Sequence, residues 1–210
     1  MNEIPETTNE AKLNSAREGE RIFLIVFVPS LIYAIIRYNI FKDTPWSETP
    51  LWVSNKAFSL TATIMIGLSF VLPANRPRRE IGLWGFYITS IHVAISLLLL
   101  LLGYYEKFYQ DNGQFTVSGG LALLAGIVSF GALILAFRNS FLKWCRKVNL
   151  RVIHKAVFLA LFFNLIHLTL IGSKSWVDPA HWPGYLPPIT LISAFFSFYF
   201  ISQRLRKNLN

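Results

Sequence analysis

The sequence is short of charge. Lys, Arg, Asp and Glu together make up 15% of its 210 residues, where a soluble domain usually carries about a quarter. That is too few to cover a water-facing surface, which excludes an ordinary soluble fold. Cysteine is almost missing as well. The single thiol, Cys145 in LKWCRKVN, cannot close an internal disulfide, and a thiolate-ligated iron–sulfur cluster needs several such residues. No GxGxxG fingerprint, Walker motif, CxxC pair or internal repeat is present, and the length left outside the apolar runs does not accommodate a soluble nucleotide-binding domain. Acidic residues are scarce inside the apolar runs, so a relay of membrane carboxylates lacks its parts.

What the chain has instead is apolar surface: 53% hydrophobic residues, with 18 Phe, 8 Tyr and 6 Trp. Crossing about 30 Å of hydrocarbon takes roughly 17–25 helical residues, and six runs approach that length. They are residues 22–41, with Pro29 as an expected kink; 53–72, weaker because VSNK opens it; 81–103; 118–137; 152–172; and 186–202. The expected fold is an all-α membrane protein, a six-helix transmembrane bundle over residues 22–203. A polar tail (residues 1–21) precedes it, neither signal peptide nor basic anchor and expected to be disordered or to lie on the surface. A basic tail (residues 204–210) follows it.

The net charge of +9 sits between the runs, which is the positive-inside pattern rather than a nucleic-acid footprint. Arg76, Arg78 and Arg79 occupy the second connection. Arg138, Lys143, Arg146, Lys147 and Arg151 occupy the fourth, and Arg204, Arg206 and Lys207 the C-terminal end. The alternate connections are sparsely basic and rich in Trp and Tyr, residues suited to a membrane–water interface. Both termini are therefore expected to be cytoplasmic, in a multi-pass protein of a bacterial inner membrane surrounded by lipid. Gly126 in the fourth run is read as a place where helices approach closely.

Three of the four histidines, His92, His154 and His167, fall inside these runs. An ionisable side chain at membrane depth marks a functional site by default, although a membrane histidine also serves as a hydrogen-bonding bridge between helices. His92 is about 11 residues into its run, roughly 16–17 Å, and His167 about 15 residues into its own, roughly 22 Å. His154 lies about one turn from the basic end. Two levels are expected, an outer pair and an inner single residue. Facing neutral imidazoles suit the two axial positions of haem iron, whereas zinc asks for four ligands from a tight His/Cys/Asp/Glu set. His154 and His167 are 13 residues apart, roughly 140° in azimuth on an ideal helix, and do not share a face. Two further readings stay open on the residues alone. One is a non-redox membrane protein, a transporter or assembly factor, with bridging histidines; the other is a quinone-linked cytochrome b.

The stretches RREIGLWGFYITSIHV and RVIHKAVFLALFFNLIHLTLIG resemble the ferric reductase-like transmembrane superfamily. The likeness consists of an Arg-Arg pair, Gly-Leu-Trp and a histidine on the third helix, then two histidines 13 apart on the fifth, and it covers roughly residues 50–175. It implies a b-type cytochrome holding one or two haem b groups, an electron-transfer component of an oxidoreductase rather than a self-contained enzyme. On that likeness His92 and His167 share one haem, and His154 serves a second, inner one. NADPH oxidases have a histidine about 14 residues before the third-helix one, where this chain has Arg78. Arg78 or Arg79 is expected to pair with a haem propionate or a flavin phosphate, with FMN as a further candidate cofactor. The implied donor is a cytoplasmic flavoprotein reductase, toward which basic loops steer an acidic partner. The implied acceptor is a periplasmic oxidoreductase, such as a methionine sulfoxide reductase, or ferric iron or another small oxidant. One departure is the long connection GSKSWVDPAHWPGYLPP, read as a rigid outer lip in which His181 is a loop residue rather than a ligand.

Overall fold

A computed structural model describes residues 6–73, 76–141 and 149–209; Lys143, Cys145, Arg146 and Lys147 lie outside them. Six long helices account for the described chain: α1 (Glu6–Ile35), α2 (Ser54–Val71), α3 (Arg78–Leu101), α4 (Val117–Phe141), α5 (Leu150–Trp176) and α6 (Ile189–Leu209). Each coincides with one of the six apolar runs. Five segments are long and apolar enough to cross a membrane: Glu10–Ile40, Arg78–Leu101, Val117–Ser140, Leu150–Trp176 and Pro183–Lys207.

The exception is α2, whose 18 residues rise about 27 Å. It carries Asn55, Lys56, Thr61 and Thr63, too much polarity to face hydrocarbon unaided. It is accordingly the most enclosed helix, with ten of its residues buried between α1, α3, α5 and α6. Asn55 and Thr63 find partners on those neighbours, whereas Thr61 Oγ1 is buried without one. Asn164 of α5 donates from Nδ2 to Thr63 Oγ1 at 3.2 Å and to Ser197 Oγ of α6 at 3.1 Å, tying three helices at mid-depth. One turn nearer the basic end, Ile66 and Phe70 pack with Val157, Leu161 and Phe200.

α4 and α5 meet through small side chains. Ala125, Ala132 and Ala136 on one and Ala156 and Ala160 on the other are buried, and Ser129 Oγ donates to the Ala160 carbonyl at 2.9 Å. Small residues allow this close approach of backbones. α3 and α4 meet differently, through rings: Phe86 stacks on Phe130 at 6.0 Å and tilts against Phe137 at 5.5 Å. The ring of helices α2–α3–α4–α5 thus has one seam made of aromatic side chains, and α3 and α5 stand on its diagonal.

Consecutive helices run antiparallel. The basic end collects the C-termini of α2, α4 and α6 and the N-termini of α3 and α5; there Lys207 Nζ caps the Val71 carbonyl at 2.8 Å. The polar tail expected over residues 1–21 differs from that expectation. α1 begins at Glu6 and continues through residue 21 and Pro29 without a break. TNEAKLNSARE is rich in good helix formers, and contacts hold the extension against the bundle: Glu18 pairs with Arg76 at 2.8 Å, and Gly19 lies against Glu80. The last residues follow the same rule, since α6 extends to Leu209.

At the opposite, aromatic end, the long α5–α6 connection is braced. Trp182 Nε1 donates to the Ser175 carbonyl at 2.7 Å, and Trp176 Nε1 to Thr190 Oγ1 at 3.0 Å. Tyr33 OH donates to Pro187 O at 2.6 Å, and the buried Arg37 guanidinium donates to the Leu186 carbonyl. These bonds tie the connection to α1, α5 and α6.

The packing around α2 yields a direct test. A Cβ at Gly67 would come within 1.9 Å of the Phe200 ring, whereas one at Gly131 meets nothing within 4 Å. Gly67→Ala is expected to lower stability by about 1–3 kcal/mol through overpacking, and Gly131→Ala to leave it unchanged or raise it slightly. Unfolding of the detergent-purified variants followed by circular dichroism checks both. Equal behaviour of the two would contradict the α2–α6 contact.

Candidate functional site

His92 is 14 residues along α3 from Arg78, and His167 is 17 along α5 from Leu150. These positions lie about 21 Å and 25 Å from the basic end by helical rise. The two residues therefore stand at a similar level on opposite corners of the helix ring, nearer the aromatic end than the basic one. Each ring is partly buried and each is gripped at Nδ1.

His167 Nδ1 lies 2.7 Å from the carbonyl oxygen of Ala122 on α4. A carbonyl only accepts, so Nδ1 carries the proton and Nε2 keeps its lone pair. The ring reaches that carbonyl because residue 126, one turn along α4, is glycine: a Cβ there would sit 3.1 Å from His167 Nδ1. Gly126 does more than admit a neighbouring backbone; it is the cradle of the imidazole.

His92 Nδ1 lies 2.8 Å from Asn55 Oδ1. Asn55 is 1% exposed, and its amide nitrogen is turned toward Ser96 Oγ at 2.9 Å and Tyr105 OH at 3.3 Å. With the NH2 engaged there, the amide oxygen faces the imidazole, so His92 also holds its proton on Nδ1 and leaves Nε2 free. Two neutral imidazoles, each with Nδ1–H bonded to a fixed acceptor and Nε2 unprotonated, form the arrangement that prepares histidine for a metal.

Between α2, α3, α4 and α5 a cavity of about 40 Å³ is lined by His92, Thr63, Ser129 and Asn164, among others. That is room for a water molecule in a polar setting. The cavity is far smaller than a macrocycle, and His167 is not among its lining residues. Among the described residues, no group of three or more His, Cys, Asp or Glu comes together as a metal-ion site.

The third helical histidine is in a different environment. His154 lies near the basic end with Arg78 Nη2 3.4 Å from Nε2 and Arg204 Nη2 3.4 Å from Nδ1. A neutral imidazole has one acceptor nitrogen, so only one guanidinium bonds to it at a time. The ring faces two cations and presents no free lone pair. The azimuthal offset read from the sequence is retained: His167 turns to α4, and His154 to α3 and α6. Arg78 points inward, its Nε also donating to the Ser69 carbonyl at 3.1 Å. Arg79 points outward and pairs with Glu80 at 3.0 Å, so the two arginines do not act together.

Sequence reasoning missed Asn55, Asn164 and Arg204. Asn55 lay in the polar opening that made the second run look weak, and a buried amide in a transmembrane-length run is itself the signal that could have found it. Arg204 was counted only as a topological charge. His181 is a loop residue as expected: its side chain is 82% exposed and bonds Asp178 Oδ2 at 2.7 Å.

Two measurements follow. In ¹⁵N spectra of the histidine rings, His92 and His167 are expected as neutral Nδ1–H tautomers, and Asn55→Leu is expected to release the His92 ring while leaving His167 alone. A His92 ring protonated on Nε2 in the native chain would mean the Asn55 amide is reversed. The second concerns His181, whose hydrogen bond with Asp178, reinforced by its charge, raises the imidazole pKa above the ordinary 6.5. With a raised pKa the charged contact is present at lower pH and is lost as pH rises through that value. Its titration is expected to move back toward 6.5 in Asp178→Asn, and an unchanged midpoint would remove the pair.

No protein-family model matches this chain, and no curated protein matches it.

Proposed function

We propose that the protein is a b-type haem electron-transfer subunit of a bacterial inner membrane, with His92 and His167 as the two axial ligands of one haem. The observation that carries this reading is the pair of Nδ1–H bonds, to Asn55 Oδ1 and to the Ala122 carbonyl. They leave two neutral Nε2 lone pairs at one level across the bundle. The resemblance to the ferric reductase-like transmembrane superfamily, and within it to the haem-binding membrane subunit of the methionine sulfoxide reductase system, points the same way.

The donor set fits haem b, and the closed space fits only in part. A macrocycle does not enter a cavity of about 40 Å³; it needs α3 and α4 to part along the Phe86–Phe130–Phe137 seam, where side chains rather than backbones meet. Haem, when bound, supplies a one-electron couple. The chain's own residues do the rest. His92 and His167 offer neutral nitrogen donors, Asn55 and Ala122 hold their protons on Nδ1, and the apolar walls keep water from the rings. One haem is the reading supported at this level. His154, with a guanidinium beside each ring nitrogen and one lone pair between them, accepts a second iron only if Arg78 or Arg204 withdraws.

In this reading all six helices span the membrane and both termini are cytoplasmic. A flavoprotein reductase, with FMN on either partner, donates at the basic end. A periplasmic oxidoreductase of the methionine sulfoxide reductase kind, ferric iron or another small oxidant accepts at the aromatic end. The unbalanced basic charge steers an acidic donor.

Optical spectra of the detergent-purified chain, oxidised and dithionite-reduced, test the proposal. The native protein is expected to show a reduced b-type α-band. His92→Ala and His167→Ala are expected to lose it, and His154→Ala to keep most of it. No haem absorbance after expression with ample haem would overturn the reading. Reduction by the flavoprotein is expected to slow as salt rises, and a salt-insensitive rate would remove the steering.

A further inference from the structure

A cleft of about 710 Å³ lies apart from His92 and His167. It opens on the flank of α4 and α5 near the basic end and reaches in toward α2 and α6. Four residues of α4, between Val128 and Leu135, and six of α5, between Val152 and Leu159, border it, which makes it about 10 Å long by helical rise. Its walls are nearly all hydrocarbon. The polar side chains that line it are His154, Lys155 and Arg204, and they gather at one end.

Those groups have no acid to answer them. The only side-chain carboxylate after Asp111 in the whole sequence is Asp178, and it belongs to the aromatic end. Among the described residues neither Arg204 nor Arg78 has a carboxylate partner; the ion pairs of this end are Arg76–Glu18 and Arg79–Glu80. Arg204 lies over the Phe70 ring at 5.2 Å with one nitrogen on His154, so its guanidinium is held in place at the mouth of the cleft. Two guanidiniums converge on one imidazole, an arrangement that a nearby negative charge would stabilise by offsetting their mutual repulsion.

We propose that this cleft is a binding site for an anionic phospholipid. An acyl chain lies along the open surface at Gly131, Leu135 and Leu159, and the phosphate sits against Arg204, His154 and Lys155. The reasoning is one of matched shape and charge. The site has a slot of hydrocarbon on a flank that five apolar helices present to a bilayer, and it ends in cations about one turn from the helix termini, at headgroup depth. A free inorganic anion would use the cations but leave the slot without purpose. A neutral lipid would use the slot but leave Arg204 uncompensated. The site does not depend on the haem reading: it engages neither His92 nor His167.

The test uses the full chain purified in detergent, with lipids added back and bound lipid counted by native mass spectrometry. Phosphatidylglycerol is expected to be retained at one molecule per chain in clear preference to phosphatidylcholine. Arg204→Gln is expected to weaken that preference about fivefold, the effect of one basic residue on an anionic headgroup. Gly131→Leu places a side chain in the slot at a position where a Cβ meets nothing within 4 Å, and is expected to abolish retention while the elution volume and helical circular dichroism stay native. Equal retention of the two lipids would overturn the proposal. Binding of glycerol 3-phosphate that is as tight as that of the lipid and indifferent to Gly131→Leu would make this a site for free anions. Loss of haem absorbance in Gly131→Leu with lipid retention unchanged would make it a macrocycle cleft. The His92→Ala spectrum judges the haem reading separately, so failure of one does not imply failure of the other.

Discussion

A helix too polar for hydrocarbon can sit in this bundle only if other helices enclose it, and that requirement organises the molecule. α2 carries Asn55, Lys56, Thr61 and Thr63 where a lipid-facing helix would carry leucine. Unpaired, each polar group buried away from water costs about 1–3 kcal/mol by mutational measures, so the neighbours must both cover it and answer it. α1, α3, α5 and α6 pack around it, and two of its polar side chains become bridges, Thr63 to Asn164 of α5 and Asn55 to His92 of α3. The same burial that protects the amide of Asn55 gives it authority over the imidazole.

Two kinds of histidine follow from where the helices place their acceptors. At the level of His92 and His167 the neighbours are an amide oxygen and a backbone carbonyl, which accept a hydrogen bond from Nδ1–H and offer no charge. At the level of His154 the neighbours are Arg78 and Arg204, which offer charge and no acceptor. The first environment leaves a lone pair available for a metal; the second makes the imidazole part of a cationic cluster. The two levels therefore differ in chemistry as well as in depth.

The division extends along the whole long axis. The aromatic end is braced by indole and phenol hydrogen bonds to the α5–α6 connection, with Trp52 flanked by Lys42 at 5.0 Å and Lys56 at 5.1 Å. At the basic end Arg76 and Arg79 pair with Glu18 and Glu80, while Arg78 and Arg204 converge on His154. Between the ends, the ring of four helices is closed by small-residue packing at α4–α5 and by phenylalanine rings at α3–α4.

By itself the sequence determined the six helices, their alternation and the levels of the three histidines. Hydrophobic run length, the placement of arginine and lysine and a rise of 1.5 Å per residue are local properties that need no partner. It did not carry the start of α1, because a polar helix before an apolar one looks like a tail until Glu18 meets Arg76 across 58 positions. Nor did it distinguish His154 from His167, since both are histidines on one apolar helix. Only the tertiary structure decided which acceptor stands opposite each ring, because Asn55 and His92, Ala122 and His167, and Arg204 and His154 are 37, 45 and 50 residues apart. Hydrogen-bond partners at such separations are chosen by how helices pack, and no periodicity along the chain encodes them.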